Sequence, residues 1–241
     1  MTIRGNAMID LGEKEQEGSP ILECRDVTRT FCPRGREVHV LSGVGLTVAP
    51  GEIAVVAGKS GAGKSTLLNI LAGLDTPSSG AVFFHGRRTD SLSGDERAIL
   101  RKRCIGIVFQ SHNLISSWTA RENLEGPLLH SEVAPRERRR RSDSWLRALE
   151  LEDRAGHFPS ELSLGQQQRL AIGRTLIHSP TLVFADEPTG NLDPEAARLL
   201  LDLLCAPVRE RGMALVVMTH GTFPGKADRM FVLVGGRLQA A

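Results

Sequence analysis

A glycine-rich stretch in the first third of the chain has the residue types and the spacing that bind a row of phosphates. Residues 58–66 read GKSGAGKST and fit the pattern of two spaced glycines followed by lysine and serine. The glycines permit a tight loop whose N–H groups point inward, Lys64 reaches the β- and γ-phosphates, and Ser65 offers its hydroxyl to Mg²⁺. The stretch predicts a nucleoside triphosphate site formed by Gly58, Lys59, Ser60, Gly61, Ala62, Gly63, Lys64, Ser65 and Thr66.

A second stretch, LSLGQQQR at residues 162–169, is typical of a helix N-terminus. Ser163 is a suitable N-cap residue, and Gly165 leaves the backbone beside it open. Because the first N–H groups of a helix have no partner within the helix, such a start can bind an anion. We therefore expect a second phosphate site at Ser163, Gly165 and Gln166.

Polar residues end three further apolar runs, in addition to the run EIAVVAG that precedes the glycine-rich loop. CIGIVF ends at Gln110, TLVFA at Asp186 and Glu187, and MALVVMT at His220. In open α/β sheets, ligands lie beyond the carboxyl ends of the strands. If these runs are neighbouring strands, their ends converge on one site.

The residue types at these ends are useful for phosphate chemistry. Asp186 is suited to orient Mg²⁺, and Glu187 to polarise a water for in-line attack on the γ-phosphate. The alternative is an acidic pair that merely closes a strand. Gln110 is a candidate contact of Mg²⁺ or of the water, and His220 a candidate contact of the γ-phosphate.

Short apolar runs alternate with helical patterns, which predicts an α/β fold with helices covering a parallel sheet. The longest clean apolar run, MALVVM at 213–218, is far shorter than the roughly 20 residues that a membrane-spanning helix needs. Residues 1–19 contain no sustained apolar segment. We expect a flexible tail there, followed by one domain over residues 20–241 of a cytoplasmic chain.

Charge and cysteine content exclude two other classes of site. The net charge of +2 is too small to argue for a nucleic-acid partner, and the four cysteines form no CxxC pair of the metal-binding type. The run RERRRR at 136–141 is interpreted as the solvated face of a helix, with a lipid or nucleic-acid patch as the alternative.

Taken together and in order, five of these motifs resemble those of an ABC-type ATPase subunit. GKSGAGKST resembles the Walker A motif, VFQ the Q-loop, LSLGQQQR the signature, LVFADEPTGNLD the Walker B motif with D-loop, and MTH the H-loop. The resemblance implies ATP as the nucleotide, with Mg²⁺. It also implies a RecA-like P-loop NTPase core, an antiparallel β subdomain near the N-terminus and an inserted helical subdomain at about 111–161.

The resemblance further implies partners. In this family, two copies meet head to tail, so that the P-loop of one copy faces the signature of the other across ATP. Asp193 would then lie at the seam of the homodimer. A chain with one ATPase domain and no membrane helix would serve a separate integral membrane permease, which would hold it at the inner face of the cell membrane. The expected docking surface is residues 111–128.

At the level of the branch, DEPTGNLD and EVHVLSGVGLTVAPGE resemble lipoprotein-releasing, macrolide-exporting and cell-division ATPases of the LolD, MacB and FtsE types. The interpretation that follows is a stand-alone subunit for lipoprotein release or export. The alternative is an FtsE-like ATPase that regulates cell-wall machinery through a membrane partner. A soluble ATPase of DNA repair or translation is disfavoured, because one P-loop is present and no room is left for a long coiled coil.

Three features depart from the usual pattern of the family, and one of them, Gly221 in place of the more usual Asp after His220, is assigned no consequence. The signature usually reads LSGGQ, and Leu164 replaces its first glycine. A leucine whose backbone needed a positive φ would cost about 1–2 kcal/mol, whereas a leucine pointing away would leave the site intact. The family usually stacks adenine on a tyrosine, but the chain has no Tyr. Phe31 is the candidate replacement, with simple strand packing as the alternative.

Overall fold

The structure, a computed structural model, describes residues 19–241 except residues 130, 191, 193 and 222. The predicted tail of residues 1–19 therefore lies outside the described residues, apart from Ser19, and so does Asp193. Within the described part, the strands in chain order are β1 (Leu22–Phe31), β2 (Val38–Val48), β3 (Ile53–Ala57), β4 (Ser79–Phe84), β5 (Arg87–Arg88), β6 (Ile105–Val108), β7 (Leu182–Asp186), β8 (Ala214–Thr219), β9 (Arg229–Val234) and β10 (Arg237–Ala240). The α-helices are α1 (Lys64–Leu71), α2 (Gly94–Cys104), α3 (Ala120–Glu125), α4 (Pro135–Ala148), α5 (Leu164–Leu176) and α6 (Pro194–Arg211).

The larger sheet of the described residues has the strand order β10-β9-β3-β8-β7-β6. Its pairings are parallel from β9 through β3, β8 and β7 to β6, and only β10 runs antiparallel to its neighbour. Strands β3, β7 and β8 are almost continuously buried, as expected for a parallel sheet covered on both faces.

Alternate residues of the central strands pack into two different cores. Val56 and Val216 belong to a cluster that includes the apolar side of α1 and reaches the smaller sheet. Val55 and Val217 point to the opposite face and belong to a cluster that includes apolar residues of α5 and α6. This alternation follows from the two-residue period of a strand, and it fixes which helix covers which face.

The smaller sheet is antiparallel, with the order β2-β1-β4-β5. The pairing of β1 with β4 shifts register between Arg25 and Thr28, where Asp26 has a φ of 49°. Gly80 faces this irregularity with a φ of 90°, and a Cβ at Gly80 would lie 2.5 Å from the Asp26 carbonyl oxygen. Only glycine combines that backbone angle with such a close approach.

Helices α3 and α4 lie within the predicted helical insertion of residues 111–161 and share a separate core. This core contains Ala120, Leu124, Leu128, Leu146, Leu149, Leu151, Leu162, Leu170 and Ile177. Because the last three of these residues come after position 161, the cluster extends beyond the predicted boundary into α5. The division of the chain into subdomains remains a prediction.

The arginine-rich run at 136–141 lies on α4, as expected for a helix face. Glu137 accepts from Arg140 at 2.7 Å and from Arg141 at 2.9 Å, and these guanidinium groups lower the pKa of Glu137 to about 2. The run is thus partly neutralised along its own helix. Among the described residues, no helix combines the length and the apolar character needed to cross a bilayer.

Candidate active site

The polar ends of four strands meet at one cavity. Strands β3, β8, β7 and β6 are adjacent in the sheet, so the loops that follow them emerge side by side. The cavity has a volume of about 520 Å³. It is lined by Val40, Ser60, Gly61, Gly63, Lys64, Ser65, Thr66, Gln110, Asp186, Glu187 and His220. The structure thus brings together the predicted P-loop and the four polar residues predicted at the other strand ends.

The glycine-rich loop wraps around its own lysine. Lys64 is 7% exposed, and its Nζ donates to the carbonyl oxygens of Gly58 at 2.8 Å and Lys59 at 3.2 Å. Gly63 has a φ of 100°, and a Cβ there would lie 3.0 Å from Val40. The loop therefore requires glycine at this position, and its close turn delivers Lys64 and Ser65 to the cavity at the start of α1.

The Ser65 hydroxyl and the Asp186 carboxylate lie together. Ser65 Oγ donates to Asp186 Oδ2 at 2.8 Å, and Gln110 lines the same cavity. Hydroxyl, carboxylate and amide oxygens are the hard donors that Mg²⁺ prefers. No group of three or more His, Cys, Asp or Glu residues within the described ranges could hold a metal ion. The donor set fits the hard cation Mg²⁺, which Ser65, Asp186 and Gln110 would hold.

Glu187 occupies an unusual backbone conformation directly after β7. Its φ is 49°, a left-handed angle that costs a non-glycine residue about 1–3 kcal/mol, and its N–H donates to the Met218 carbonyl at 2.9 Å. The carboxylate is 9% exposed. Its Oε2 lies 2.7 Å from His220 Nδ1, and its Oε1 lies 3.6 Å from Lys64 Nζ. The backbone strain thus places a buried carboxylate between two groups that can carry positive charge.

The predicted second phosphate site is a capped helix start. Ser163 Oγ accepts from the Gln166 N–H at 3.3 Å, and Gln166 Oε1 accepts from the Ser163 N–H at 2.9 Å. The Gln166 N–H predicted to face an anion is therefore already engaged, while Gly165 has open space beside it. Ser163, Gly165 and Gln166 are not among the residues that line the cavity, so this chain does not bring its own two predicted phosphate sites together.

Of the two conformations considered for Leu164 from the sequence, the structure has the one without a positive φ. It is the first residue of α5, and its side chain points to solvent with 62% exposure. Among the described non-glycine residues with positive φ, Leu164 is not found. The leucine therefore carries no left-handed strain, and the glycine of the usual pattern is not required by the backbone here.

Phe31 stands at the end of β1, opposite Val38 of β2. Its ring is 38% exposed, and the guanidinium of Arg29 lies 4.5 Å from the ring centroid. Phe31 is not among the residues that line the cavity. One face of the ring is thus in contact with Arg29, and the proposed stacking of adenine on Phe31 remains a prediction.

Sequence reasoning missed two residues that the tertiary structure connects to the site. Val40 of β2 lines the cavity because Gly63 packs against it, and an ordinary strand valine gives no local signal of this. Gln168 of α5 is 4% exposed, and its side-chain amide donates to the Pro188 carbonyl, directly after Glu187. Gln168 precedes Ile172 and Leu176 by four and eight positions, and this helical spacing was the available signal.

Comparison with known proteins agrees with this geometry. The model of the ABC transporter family matches residues 41–190. The lipoprotein-releasing system ATP-binding protein LolD of Pseudomonas syringae pv. tomato is 43% identical over 222 residues, which cover 92% of this chain and 98% of that protein. The macrolide export ATP-binding/permease protein MacB of Brucella abortus is 41% identical over 222 residues, covering 92% of this chain. The chain spans about a third of that relative, 34% of its length.

A solved structure shares the fold. The ATP-binding cassette MJ0796, in a dimeric post-hydrolysis state bound to ADP and Pi, superimposes with a TM-score of 0.85 at 37% identity. The match covers 90% of this chain and 96% of that one. The predicted α/β fold of a P-loop ATPase with an antiparallel sheet is thereby confirmed. The chain belongs to the ABC transporter family, as one of its ATP-binding cassettes.

Proposed function

We propose that this chain is the ATP-hydrolysing subunit that powers a separate permease of the lipoprotein-release or export type. The observation that carries the proposal is the convergence of Lys64, Ser65, Asp186, Glu187 and His220 on one cavity. LolD and MacB, the relatives named above, support this branch. Their names refer to lipoprotein release and macrolide export, so the FtsE-like alternative of cell-wall regulation is not favoured.

The chemistry assigned to the cavity is in-line hydrolysis of ATP. Lys64 binds the β- and γ-phosphates, and Glu187 takes a proton from the water that attacks the γ-phosphorus. The bond from phosphorus to the bridging oxygen breaks, which leaves ADP and phosphate. His220 holds the γ-phosphate, and its 2.7 Å contact with Glu187 also orients the carboxylate.

Ser65, Asp186 and Gln110 are the residues that would hold Mg²⁺ in this chain. Bound between them and the phosphates, the ion would neutralise charge on the β- and γ-oxygens. Support comes from the 2.8 Å contact between Ser65 and Asp186 and from the position of Gln110 on the cavity wall.

The signature at Ser163 and Gly165 is assigned to the nucleotide of a second copy. These residues lie outside the chain's own cavity, and the Gly165 backbone is open to an approaching ligand. Two copies would meet head to tail with ATP between them, and loss of the γ-phosphate would let them part. The dimeric state of the MJ0796 cassette supports this arrangement. Asp193 remains a predicted seam residue.

The permease is expected to dock on residues 111–128 and to hold the chain at the inner face of the membrane. LolD, of which this chain covers 98%, supports the assignment as an ATP-binding subunit. MacB supports coupling to a permease, since its name combines the ATP-binding and permease functions. No nucleic-acid partner is proposed, in keeping with the net charge of +2.

The experiment that tests the proposal uses Glu187→Gln. This variant is expected to bind ATP, hydrolyse it very slowly and accumulate as a dimer. It is expressed with a tag in the native host, membranes are solubilised with ATP and Mg²⁺, and co-purifying proteins are identified by mass spectrometry. The control is the same variant carrying Lys64→Ala, which should not retain ATP.

Three outcomes are distinguishable. An ATP-dependent permease with a large extracytoplasmic domain supports transport. Recovery of cell-wall hydrolases or division proteins in place of this permease would indicate that the chain regulates cell-wall machinery. Recovery of soluble proteins alone would overturn the assignment to a transporter.

A further inference from the structure

The loop that follows β6 is held by a side chain of α5. Arg174 Nη1 donates to the Asn113 carbonyl at 2.6 Å, and Nη2 donates to the His112 carbonyl at 2.9 Å. The loop begins at Phe109, and its second residue, Gln110, lines the cavity. Arg174 of α5, the helix that begins with the signature, thus binds the backbone two and three positions beyond Gln110.

The backbone at His112 and Asn113 has a conformation that needs stabilising contacts from other residues. His112 and Asn113 have φ values of 60° and 48°, so two consecutive non-glycine residues are left-handed. Such conformations cost about 1–3 kcal/mol each and persist only where the surroundings determine them. The turn is tight, since the His112 N–H donates to the Phe109 carbonyl at 3.1 Å. It closes directly around Gln110.

The chemistry of arginine suits this contact. A guanidinium presents several N–H groups in one rigid plane and can serve two neighbouring carbonyls at once, whereas a lysine ammonium is a single point. Arg174 is half-buried, and this burial lowers the pKa of its guanidinium group. The two carbonyls serve as partners of a charge that arginine keeps.

Thr175, the neighbour of Arg174 in α5, contacts the backbone on the other side of Gln110. Thr175 Oγ1 lies 3.1 Å from the Ile107 carbonyl and 2.9 Å from the Ala171 carbonyl of its own helix, so its single proton is shared between the two. Because Ile107 comes three residues before Gln110, α5 contacts the backbone on both sides of Gln110. Further along, Asn123 Oδ1 accepts from the Ile115 N–H at 2.9 Å, and Asn123 Nδ2 donates to the Ile115 carbonyl at 3.1 Å. The far end of the loop is thereby tied to α3.

We propose that Arg174 is a positioning residue that couples the signature helix to Gln110. The same helix starts at Ser163, where the nucleotide of a second copy is proposed to bind. A shift of α5 on closure would therefore move the two carbonyls held by Arg174, and with them the turn that presents Gln110. This inference rests on the proposed function. It assigns Arg174 to the arrangement of the site for catalysis and not to the binding of ATP.

The test compares Arg174→Met, which keeps the apolar length and removes the donors, with Arg174→Lys. Arg147→Met, at an exposed arginine of α4, is the matched control. Arg174→Met should lower kcat by about 10- to 100-fold, the usual cost of removing a group that orients an active-site ligand. Binding of a non-hydrolysable ATP analogue should change by less than about twofold, and Arg174→Lys should recover part of kcat.

A second readout does not depend on activity. Hydrogen exchange at the amides of residues 112–115 should accelerate in Arg174→Met and stay unchanged in Arg147→Met. Equal kcat and equal exchange in both variants, with an active wild type, would overturn the inference. Parallel losses of kcat, analogue affinity and thermal midpoint would also overturn it, because they would show a purely structural role.

A failure of the proposed function can be distinguished from a failure of this inference. If the wild-type chain with its Mg²⁺ and partner hydrolyses no ATP, the assignment as an ATPase subunit is wrong. The exchange experiment still decides then whether Arg174 holds the turn at residues 112–113.

Discussion

Oε2 of Glu187 lies 2.7 Å from Nδ1 of His220, although the two residues directly follow different strands, β7 and β8, of the larger sheet. The contact joins a carboxylate that is 9% exposed to a ring that is 58% exposed. On its other side, the same carboxylate lies 3.6 Å from Lys64 Nζ. Lys64 is the group expected to bind the phosphates of ATP. Glu187 and the γ-phosphate would therefore both interact with the positive charge of Lys64. The geometry links Lys64, which is expected to bind phosphate, with the proposed base Glu187 and with His220, which is proposed to orient that base.

His220→Ala should lower kcat for ATP hydrolysis by about 100-fold and raise the KM for ATP much less, because the carboxylate of Glu187 loses its orienting partner. Steady-state hydrolysis measurements check this. His157→Ala serves as the control, since His157 is not among the residues that line the cavity. Normal kcat in His220→Ala would remove His220 from the mechanism.

Leu164→Gly should change ATPase activity by less than about twofold, because Leu164 has no left-handed strain for glycine to relieve. The thermal midpoint should fall slightly, since glycine lowers the stability of a helix by less than about 1 kcal/mol. Activity and thermal unfolding are measured on the same preparation. A large rise in activity would mean that the native leucine impairs the signature.

Phe31→Ala should raise the KM for ATP by about fivefold or more and lower kcat less, if the ring stacks on adenine, since stacking on an aromatic side chain contributes about 1–3 kcal/mol. Phe158→Ala is the control, because Phe158 is similarly exposed, at 43% against 38%. An unchanged KM and kcat would leave Phe31 with only its contact to Arg29.

Alkylation at pH 8 should label Cys32 well before Cys24. Cys32 is exposed, whereas burial raises the pKa of Cys24 to about 12. The raised pKa leaves the reactive thiolate of Cys24 at roughly one part in ten thousand at pH 8. Peptide mapping after a short iodoacetamide pulse measures both sites. The fast phase should disappear in Cys32→Ser, and equal labelling of the two cysteines would contradict the buried position of Cys24.

Gly80→Ala should lower the free energy of unfolding by about 2 kcal/mol or more, because a Cβ would lie 2.5 Å from the Asp26 carbonyl at a φ of 90°. Urea unfolding measures the change. Gly94→Ala is the matched control, since a Cβ there has no neighbour within 4 Å. The control should be neutral or slightly stabilising, and equal stability of both variants would exclude the close approach.

The parts of the site that could be predicted from sequence are those made by neighbouring residues. The P-loop follows from the spacing of Gly58, Gly63 and Lys64, and the N-cap of α5 follows from Ser163. The polar ends at Asp186 and His220 follow from apolar runs that stop abruptly. In each case, a short segment has a strong local preference, because turn geometry, capping and strand periodicity act over a few residues.

The relationships between those segments required the tertiary structure. The order β3-β8-β7-β6, which brings the strand ends together, comes from pairings between residues far apart in the chain. Three contacts depend on that order and on the packing around it: that of Glu187 with His220, that of Val40 with Gly63 and that of Arg174 with the His112 carbonyl. Sequence alone determined which chemical groups are available within each short segment, because local backbone preferences act over only a few residues. Only the long-range pairing and packing of the strands and helices decided which of those groups meet.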